Sequence, residues 1–66
     1  MDTSFITKAV QKAGGRSAVA KKLNVNVETV RQWEIKKIPA ERAVDLEKIS
    51  GVHRSALRPD LWGETA

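Results

Sequence analysis

Apolar residues recur along this chain at intervals of three and four positions, the spacing that places side chains on one face of an α-helix. The first such segment ends at Gly14-Gly15, and a side-chain oxygen of Thr3 or Ser4 is expected to cap its start. Its inward stripe is predicted to consist of Phe5, Ile6, Ala9, Val10 and Ala13. The segment therefore predicts a first amphipathic helix that stops at the glycine pair.

Two further short helices are predicted, separated by a three-residue break. The second is expected over about residues 16–23 and the third over about residues 27–35. Asn24 suits a left-handed backbone conformation, and Asn26 suits the N-cap of the third helix. The inward positions of the second helix are Val19, Ala20 and Leu23.

The rest of the chain predicts one longer helix and a short helical turn. Pro39 is expected at the first position of the fourth helix, because proline has no amide hydrogen to lose there, and Gly51 closes that helix. A fifth turn is expected over about residues 54–57, whereas the tail over residues 59–66 has too little periodicity to assign. The apolar side of the fourth helix is formed by Ala43, Val44, Leu46 and Ile49. The pattern shows no strand, so it predicts an all-α fold of four to five short helices.

The second and third helices, with the short break between them, predict a helix-turn-helix over about residues 16–35. Ala20 is small where the two helices must approach closely, and Val25 can fill the corner between them. Val30 and Trp33 lie three positions apart and are expected to pack the third helix onto its neighbours. The positions between them must then face outward, and they are Val27, Glu28, Arg31 and Gln32.

Size limits the organisation of the chain. Sixty-six residues allow a single domain, predicted here to span residues 1–66, with a thin core. Many small domains add stability by pairing with a copy of themselves, so a homodimer is expected. Trp62 either folds onto the core of its own chain or inserts into a partner subunit, and the first arrangement is favoured.

Charge and composition narrow the class of partner. Twelve basic residues against eight acidic ones give a net charge of +4, which favours a polyanionic partner, although a solvated surface of mixed charge has the same balance. The absence of cysteine excludes a disulfide framework and thiolate metal sites. No apolar run approaches the roughly 20 residues that span a bilayer, and Met1-Asp2-Thr3-Ser4 lacks the features of a secretory signal. A cytoplasmic protein is therefore expected.

The sequence offers no pattern typical of an enzyme. His53 is the sole histidine, so a surface or capping role is expected rather than a metal site. Ser17 and Ser55 have no histidine partner at a recognisable spacing, and no glycine-rich phosphate loop is present. We expect no catalysis, no cofactor and no metal.

A series of short motifs resembles the helix-turn-helix of Cro- and cI-type phage repressors, and more closely the YdaS-like group of small prophage regulators. The resemblance covers about residues 5–62, and it is the order and spacing of its motifs that make it specific. Those motifs are Gly14-Gly15, the Ala20 to Leu23 segment, Val30 to Glu34, Ile38 to Arg42, and Leu57 to Asp60. The chain departs from the family pattern at Asn24, where glycine is usual, but asparagine also tolerates the required backbone conformation.

This resemblance implies a lambda-repressor-like domain and a Cro-like transcriptional regulator that binds double-stranded operator DNA as a dimer, in a bacterial or phage-infected cell and on its nucleoid. In such a protein the third helix enters the major groove. Arg31 can donate to a guanine, Gln32 can pair with an adenine and Val27 can touch a thymine methyl group. Glu28 can accept from a cytosine amino group or steer Arg31 through an ion pair. Phosphate contacts are expected from Arg16, Ser17, Asn26, Lys36 and Lys37.

An alternative class remains open. The helix-turn-helix fold can also serve as a protein-interaction module, for example an antitoxin that binds a toxin partner. A protein-docking face is usually more apolar than the outer face of this third helix, on which Arg31 is flanked by Lys36 and Lys37. The basic residues therefore favour DNA, although the two roles can coexist in one protein.

Overall fold

The computed structural model describes residues 3–62, and within them the chain forms six helices and no strand. The helices are α1 (Ser4–Lys12), α2 (Arg16–Leu23), α3 (Val27–Ile35), α4 (Ala40–Ser50), α5 (Arg54–Leu57) and α6 (Pro59–Trp62). The all-α class is confirmed, and α6 arises from the tail that periodicity left unassigned. Residues 63–66 of that predicted tail lie outside the described part of the chain. No helix in residues 3–62 is long and apolar enough to cross a membrane.

The core draws side chains from the first five helices and from the loop before α4. The largest fully buried residues are Ile6, Val19, Val30, Ile38, Leu46 and Leu57. Trp33 is only 4% exposed, so its predicted core role is confirmed. Trp62 is partly buried against this core, as favoured from the sequence, and the guanidinium of Arg54 lies 5.6 Å from the centre of its ring.

The turns around α2 depend on residues that accept positive φ. Gly14 and Gly15 have φ values of 110° and 101°. A Cβ atom on Gly14 would lie 2.9 Å from the Cβ of Ala18, so even an alanine there would displace the turn from the first residues of α2. Asn24 has φ 57° and ψ 49°, which confirms the predicted left-handed residue at the end of α2. These local conformations fix where α2 begins and ends, and therefore where α3 begins.

Phe5 is not part of the inward stripe of α1, contrary to the prediction. Its side chain is 46% exposed, and the ammonium of Lys8 lies 5.7 Å from the centre of its ring. The buried stripe is narrower and contains only Ile6, Ala9, Val10 and Ala13. Helical spacing gives the direction of a side chain but not the width of the surface that covers it.

Two predicted helix starts also differ in detail. Thr3 occupies the N-cap position of α1 but makes no side-chain cap, because its hydroxyl donates instead to the backbone carbonyl of Glu34. Pro39 is the N-cap of α4 rather than its first residue, with ψ 151° in the extended region, and the helix begins at Ala40. The hydrogen bond from Thr3 ties the start of α1 to the end of α3.

A buried arginine fastens the C-terminal helices to the loop that follows α3. Arg58 is 8% exposed, and its NH1 group donates to the carbonyl of Ile38 at 2.7 Å. Its Nε and NH2 groups donate to the two carboxylate oxygens of Asp60 at 2.9 and 2.7 Å. These hydrogen bonds hold the pKa of Asp60 below its usual range. The loop between α3 and α4 is thereby anchored directly after Lys37.

Candidate nucleic-acid interface

The predicted helix-turn-helix is present in α2, the turn after it and α3. These two helices pack directly against each other. Val19 and Ala20 are buried at the contact, and the half-buried Val25 packs against the core from the turn. The backbone N–H of Val25 donates to the carbonyl of Ala20 at 2.9 Å, which closes the turn.

Asn26 caps α3 as the sequence predicted. Its backbone is extended, and its side-chain Oδ1 accepts a hydrogen bond from the backbone N–H of Glu28 at 2.7 Å. The amide nitrogen of the Asn26 side chain is not used in this cap. Asn26 therefore sets the first turn of α3 while its exposed amide can still donate to an external acceptor.

The orientation of α3 follows from its two buried residues. Val30 is fully buried and Trp33 nearly so, which leaves the other side of the helix at the surface. Glu28 and Arg31 are exposed, Gln32 is half-buried, and Val27 is 45% exposed. All four residues predicted to contact bases thus lie at the molecular surface.

Three of these side chains form one hydrogen-bonded group. A single carboxylate oxygen, Oε2 of Glu28, accepts from NH1 of Arg31 at 2.9 Å and from Nε2 of Gln32 at 3.0 Å. These hydrogen bonds, first that from Gln32 and then that from Arg31, lower the pKa of Glu28. The ion pair between Glu28 and Arg31 had been predicted, whereas the contact of Glu28 with Gln32 had not.

Glu34 links three helices, and sequence reasoning assigned it no role. Its side chain is 9% exposed and accepts a hydrogen bond from the hydroxyl of Thr7 on α1 at 3.1 Å. It also accepts from Nε and NH2 of Arg16 on α2 at 2.8 and 3.3 Å, and this contact raises the pKa of Arg16. The only sequence signal for Glu34 was its place directly after Trp33 in the motif from Val30.

The predicted phosphate contacts lie at the edges of the same surface. Arg16 and Ser17 begin α2 and are exposed, and the guanidinium of Arg16 is fixed by Glu34 with its NH1 group directed to no hydrogen-bond partner among residues 3–62. Lys36 and Lys37 are exposed immediately after α3. Within the described chain neither ammonium forms an ion pair, although the charge of Lys37 contributes to the lowered pKa of Asp60.

His53 acts as a helix cap, as one of its two predicted roles. Its Nδ1 atom accepts from the backbone N–H of Ser55 at 3.0 Å at the start of α5. The prediction that Ser55 lacks a histidine partner is wrong, because its Oγ lies 2.8 Å from the same Nδ1. The two residues meet because a capping side chain must reach the backbone N–H of the second residue of the helix, which here is Ser55.

Metal-binding clusters and pockets are both absent from residues 3–62. Over residues 3–62 no group of three or more histidine, aspartate or glutamate side chains could hold a metal ion. The described surface also has no pocket.

Comparison with known proteins is consistent with this geometry. The family model described as bacterial toxin YdaS matches residues 6–66. Among solved structures, the Cro protein from the prophage element Xfaso 1 of Xylella fastidiosa strain Ann-1 is 34% identical, with a TM-score of 0.79. The match covers 92% of this chain and 95% of that one. No curated protein sequence matches significantly.

Proposed function

This chain belongs to the family described as bacterial toxin YdaS, and we propose that it is a Cro-like transcriptional regulator that binds operator DNA through the major groove. The observation that carries the proposal is the exposed face of α3. Its guanidinium and amide groups, on Arg31 and Gln32, are donors and acceptors of the kind that distinguish base pairs in the major groove. Val27 adds an exposed apolar group next to them, which suits a thymine methyl.

The edges of this face supply the contacts to the DNA backbone. Arg16, Ser17 and Asn26 lie at the starts of α2 and α3, where free backbone N–H groups and the helix dipole favour a phosphate. Lys36 and Lys37 lie beyond the other end of α3. A helix with base-reading groups in the middle and phosphate-binding groups at both ends fits a groove with phosphates on both walls.

The chain would act as a homodimer on DNA. Two copies with their α3 helices roughly 34 Å apart reach successive major grooves on one side of the duplex, so the bound site is pseudo-palindromic. This role would place the protein on the nucleoid in the cytoplasm of a bacterial or phage-infected cell. The similarity to a Cro protein from a prophage element supports the role as a regulator.

Gel retardation with a duplex of random sequence at low salt tests the proposal. Non-specific binding is electrostatic, so a protein with this basic edge should retard the duplex at micromolar concentration. The retardation should weaken steeply as the salt concentration rises. An unshifted duplex at micromolar protein and low salt contradicts the proposal.

A second candidate function is binding to a protein partner. The description of the family as a toxin favours it, and an antitoxin-like or toxin-like chain of this fold would use a docking surface instead of a DNA-reading one. The exposed apolar residues at the two ends of α3, Val27 and Ile35, would be part of such a surface. Two results together would favour this candidate. The wild-type chain would fail to retard DNA, and a Val27→Ala, Ile35→Ala double variant would lose the effect that expression of the wild-type chain has on bacterial growth.

A further inference from the structure

The three hydrogen-bonded side chains on α3 have a consequence for the base sequence that the protein prefers. We propose that Glu28 is a positioning residue that orients Arg31 and Gln32 together, so that the preferred half-site presents a guanine to Arg31 and an adenine to Gln32. The inference rests on the proposed function and deepens it. It concerns which bases are selected and how two selections are coupled.

The orientation of the Gln32 amide follows from its hydrogen bond to Glu28. A carboxylate only accepts hydrogen bonds, so the group of Gln32 that lies 3.0 Å from Oε2 of Glu28 must be its NH2 group. The alternative orientation would place the amide oxygen against a negative oxygen. Glu28 therefore fixes the orientation of this amide, with its NH2 group directed toward the start of α3.

The amide of Gln32 keeps one donor and one acceptor for DNA. One N–H of Gln32 is used by Glu28, which leaves the other N–H as a donor and Oε1 as an acceptor. In the major groove, adenine presents an acceptor at N7 and a donor at N6, the complement of that pair. Guanine presents two acceptors and no donor there, so it leaves Oε1 of Gln32 without a partner.

The guanidinium of Arg31 keeps only donors for DNA. Its NH1 group donates once to Glu28 at 2.9 Å, and four of the five N–H groups of the guanidinium remain. All of these are donors, so they match the two acceptors of guanine and not the acceptor–donor pair of adenine. The carboxylate limits the rotation of a long and half-exposed side chain, so part of its conformational entropy is lost before DNA binds.

Glu28 acts on both side chains through a single carboxylate oxygen. Because one oxygen atom accepts from both partners, neither Arg31 nor Gln32 can keep its orientation when Glu28 is removed. The carboxylate itself is a poor neighbour for phosphates, and its place on this face is explained by the two donors it holds. Truncating Glu28 should therefore relax selectivity at two base pairs at once, the same two that Arg31 and Gln32 contact.

The test measures binding of every single base-pair variant of the duplex that the wild-type chain prefers. The proteins are the wild type and the variants Glu28→Ala, Arg31→Ala and Gln32→Ala, with Glu41→Ala as the matched control. Glu41 is an exposed glutamate in the first turn of α4, and its substitution removes the same charge from another helix. Thermal unfolding of each variant shows whether the fold is retained.

We expect Arg31→Ala to lose discrimination at a guanine position and Gln32→Ala at an adenine position, each by about fivefold or more. Glu28→Ala should lose discrimination at both of these positions and at no third one. Glu41→Ala removes a negative charge and should raise the affinity for every duplex without changing the preferred bases. In the free protein, carboxyl NMR titration should show the pKa of Glu28 rising toward its usual value in Gln32→Ala and Arg31→Ala.

Three results would overturn this inference while leaving the proposed function in place. If Glu28→Ala keeps full discrimination at both positions, Glu28 does not position its neighbours. If it loses discrimination only at a separate cytosine position, Glu28 contacts a base directly. If the wild type discriminates at neither a guanine nor an adenine through these residues, the donor count is wrong. A chain that binds no duplex at all overturns the proposed function and this inference with it.

Discussion

Arg16 and Glu34 join the start of α2 to the end of α3, with 2.8 Å between the guanidinium Nε and the carboxylate Oε2. Glu34 is nearly buried, whereas Arg16 remains 48% exposed at the edge of the surface proposed to meet DNA. The carboxylate also accepts from Thr7 on α1, so one side chain connects the two helices of the motif to the rest of the fold. An arginine that we propose to contact phosphate is thereby held in place by a carboxylate that cannot itself bind phosphate.

Removal of Glu34 is expected to affect both stability and DNA binding. Glu34→Ala should lower the free energy of unfolding by at least about 1 kcal/mol, the usual net contribution of one hydrogen bond such as that from Thr7. It should also weaken DNA binding even though it removes a negative charge, because Arg16 loses its fixed position. Urea unfolding followed by circular dichroism and a DNA titration measure the two effects. Glu41→Ala is the control, and equal behaviour of the two variants would contradict this role of Glu34.

Trp33 should be the residue of α3 on which the fold depends most. Trp33→Ala removes a large buried side chain and should cost about 3–5 kcal/mol, a large share of the stability of a domain of this size. Val27→Ala, on the exposed side of the same helix, should change stability by less than about 0.5 kcal/mol. Unfolding monitored by circular dichroism at 222 nm compares them. If the two variants unfold alike, α3 does not pack as described.

The local signals in the sequence predicted this part of the fold well. Gly15, Asn24 and Asn26 each determine a helix boundary through their own backbone or capping preference, so both ends of α2 and the start of α3 were predictable. The burial of Val30 and Trp33 followed from their helical spacing, and that in turn predicted which side of α3 is exposed.

Contacts between distant positions could not be predicted in the same way. Glu34 meets Arg16 and Thr7, which precede it by 18 and 27 residues, and no periodicity encodes such a contact. Phe5 has the spacing of a core residue, but whether a neighbouring helix covers it depends on tertiary packing. The contact between Glu28 and Gln32 has the ordinary spacing of four residues on a helix and was accessible to sequence reasoning.

Arg31 and Lys37 should affect DNA binding in different ways. Arg31→Ala should reduce affinity for the preferred site by about 1–3 kcal/mol and leave binding to random duplex nearly unchanged, because the side chain is proposed to contact a base. Lys37→Ala should weaken binding to both duplexes alike, because it is proposed to contact a phosphate. It should also reduce the slope of log affinity against log salt by about 0.9. Fluorescence anisotropy at several salt concentrations measures both effects, and a proportional loss in both variants would contradict the division of roles.

Stability should fall in acid partly through Asp60. Hydrogen bonds from Arg58 lower the pKa of Asp60 in the folded chain, so the ionised carboxylate stabilises the fold above its unfolded pKa of about 3.9. This contribution should be lost as the pH falls through the lower pKa of the folded state. Asp60→Asn should therefore be less stable than the wild type at pH 7, and the difference should shrink near pH 2.

Urea unfolding at the two pH values measures this change. Asp45→Asn is the matched control, since Asp45 contacts an arginine only at 3.4 Å and both partners are more than one-third exposed. A difference between wild type and Asp60→Asn that stays constant from pH 7 to pH 2 would contradict the ionic role of Asp60 in fastening α6.

Selection of bound duplexes from a random pool, followed by sequencing, measures whether α3 selects a base sequence in the major groove. We expect one enriched motif with two related half-sites whose centres lie about 10–10.5 base pairs apart. The same selection with Arg31→Ala should lose enrichment at one position in each half-site. Recovery of a pool with the base composition of the starting library, despite retardation of the duplex, would show that the chain binds DNA without reading it and would contradict the account.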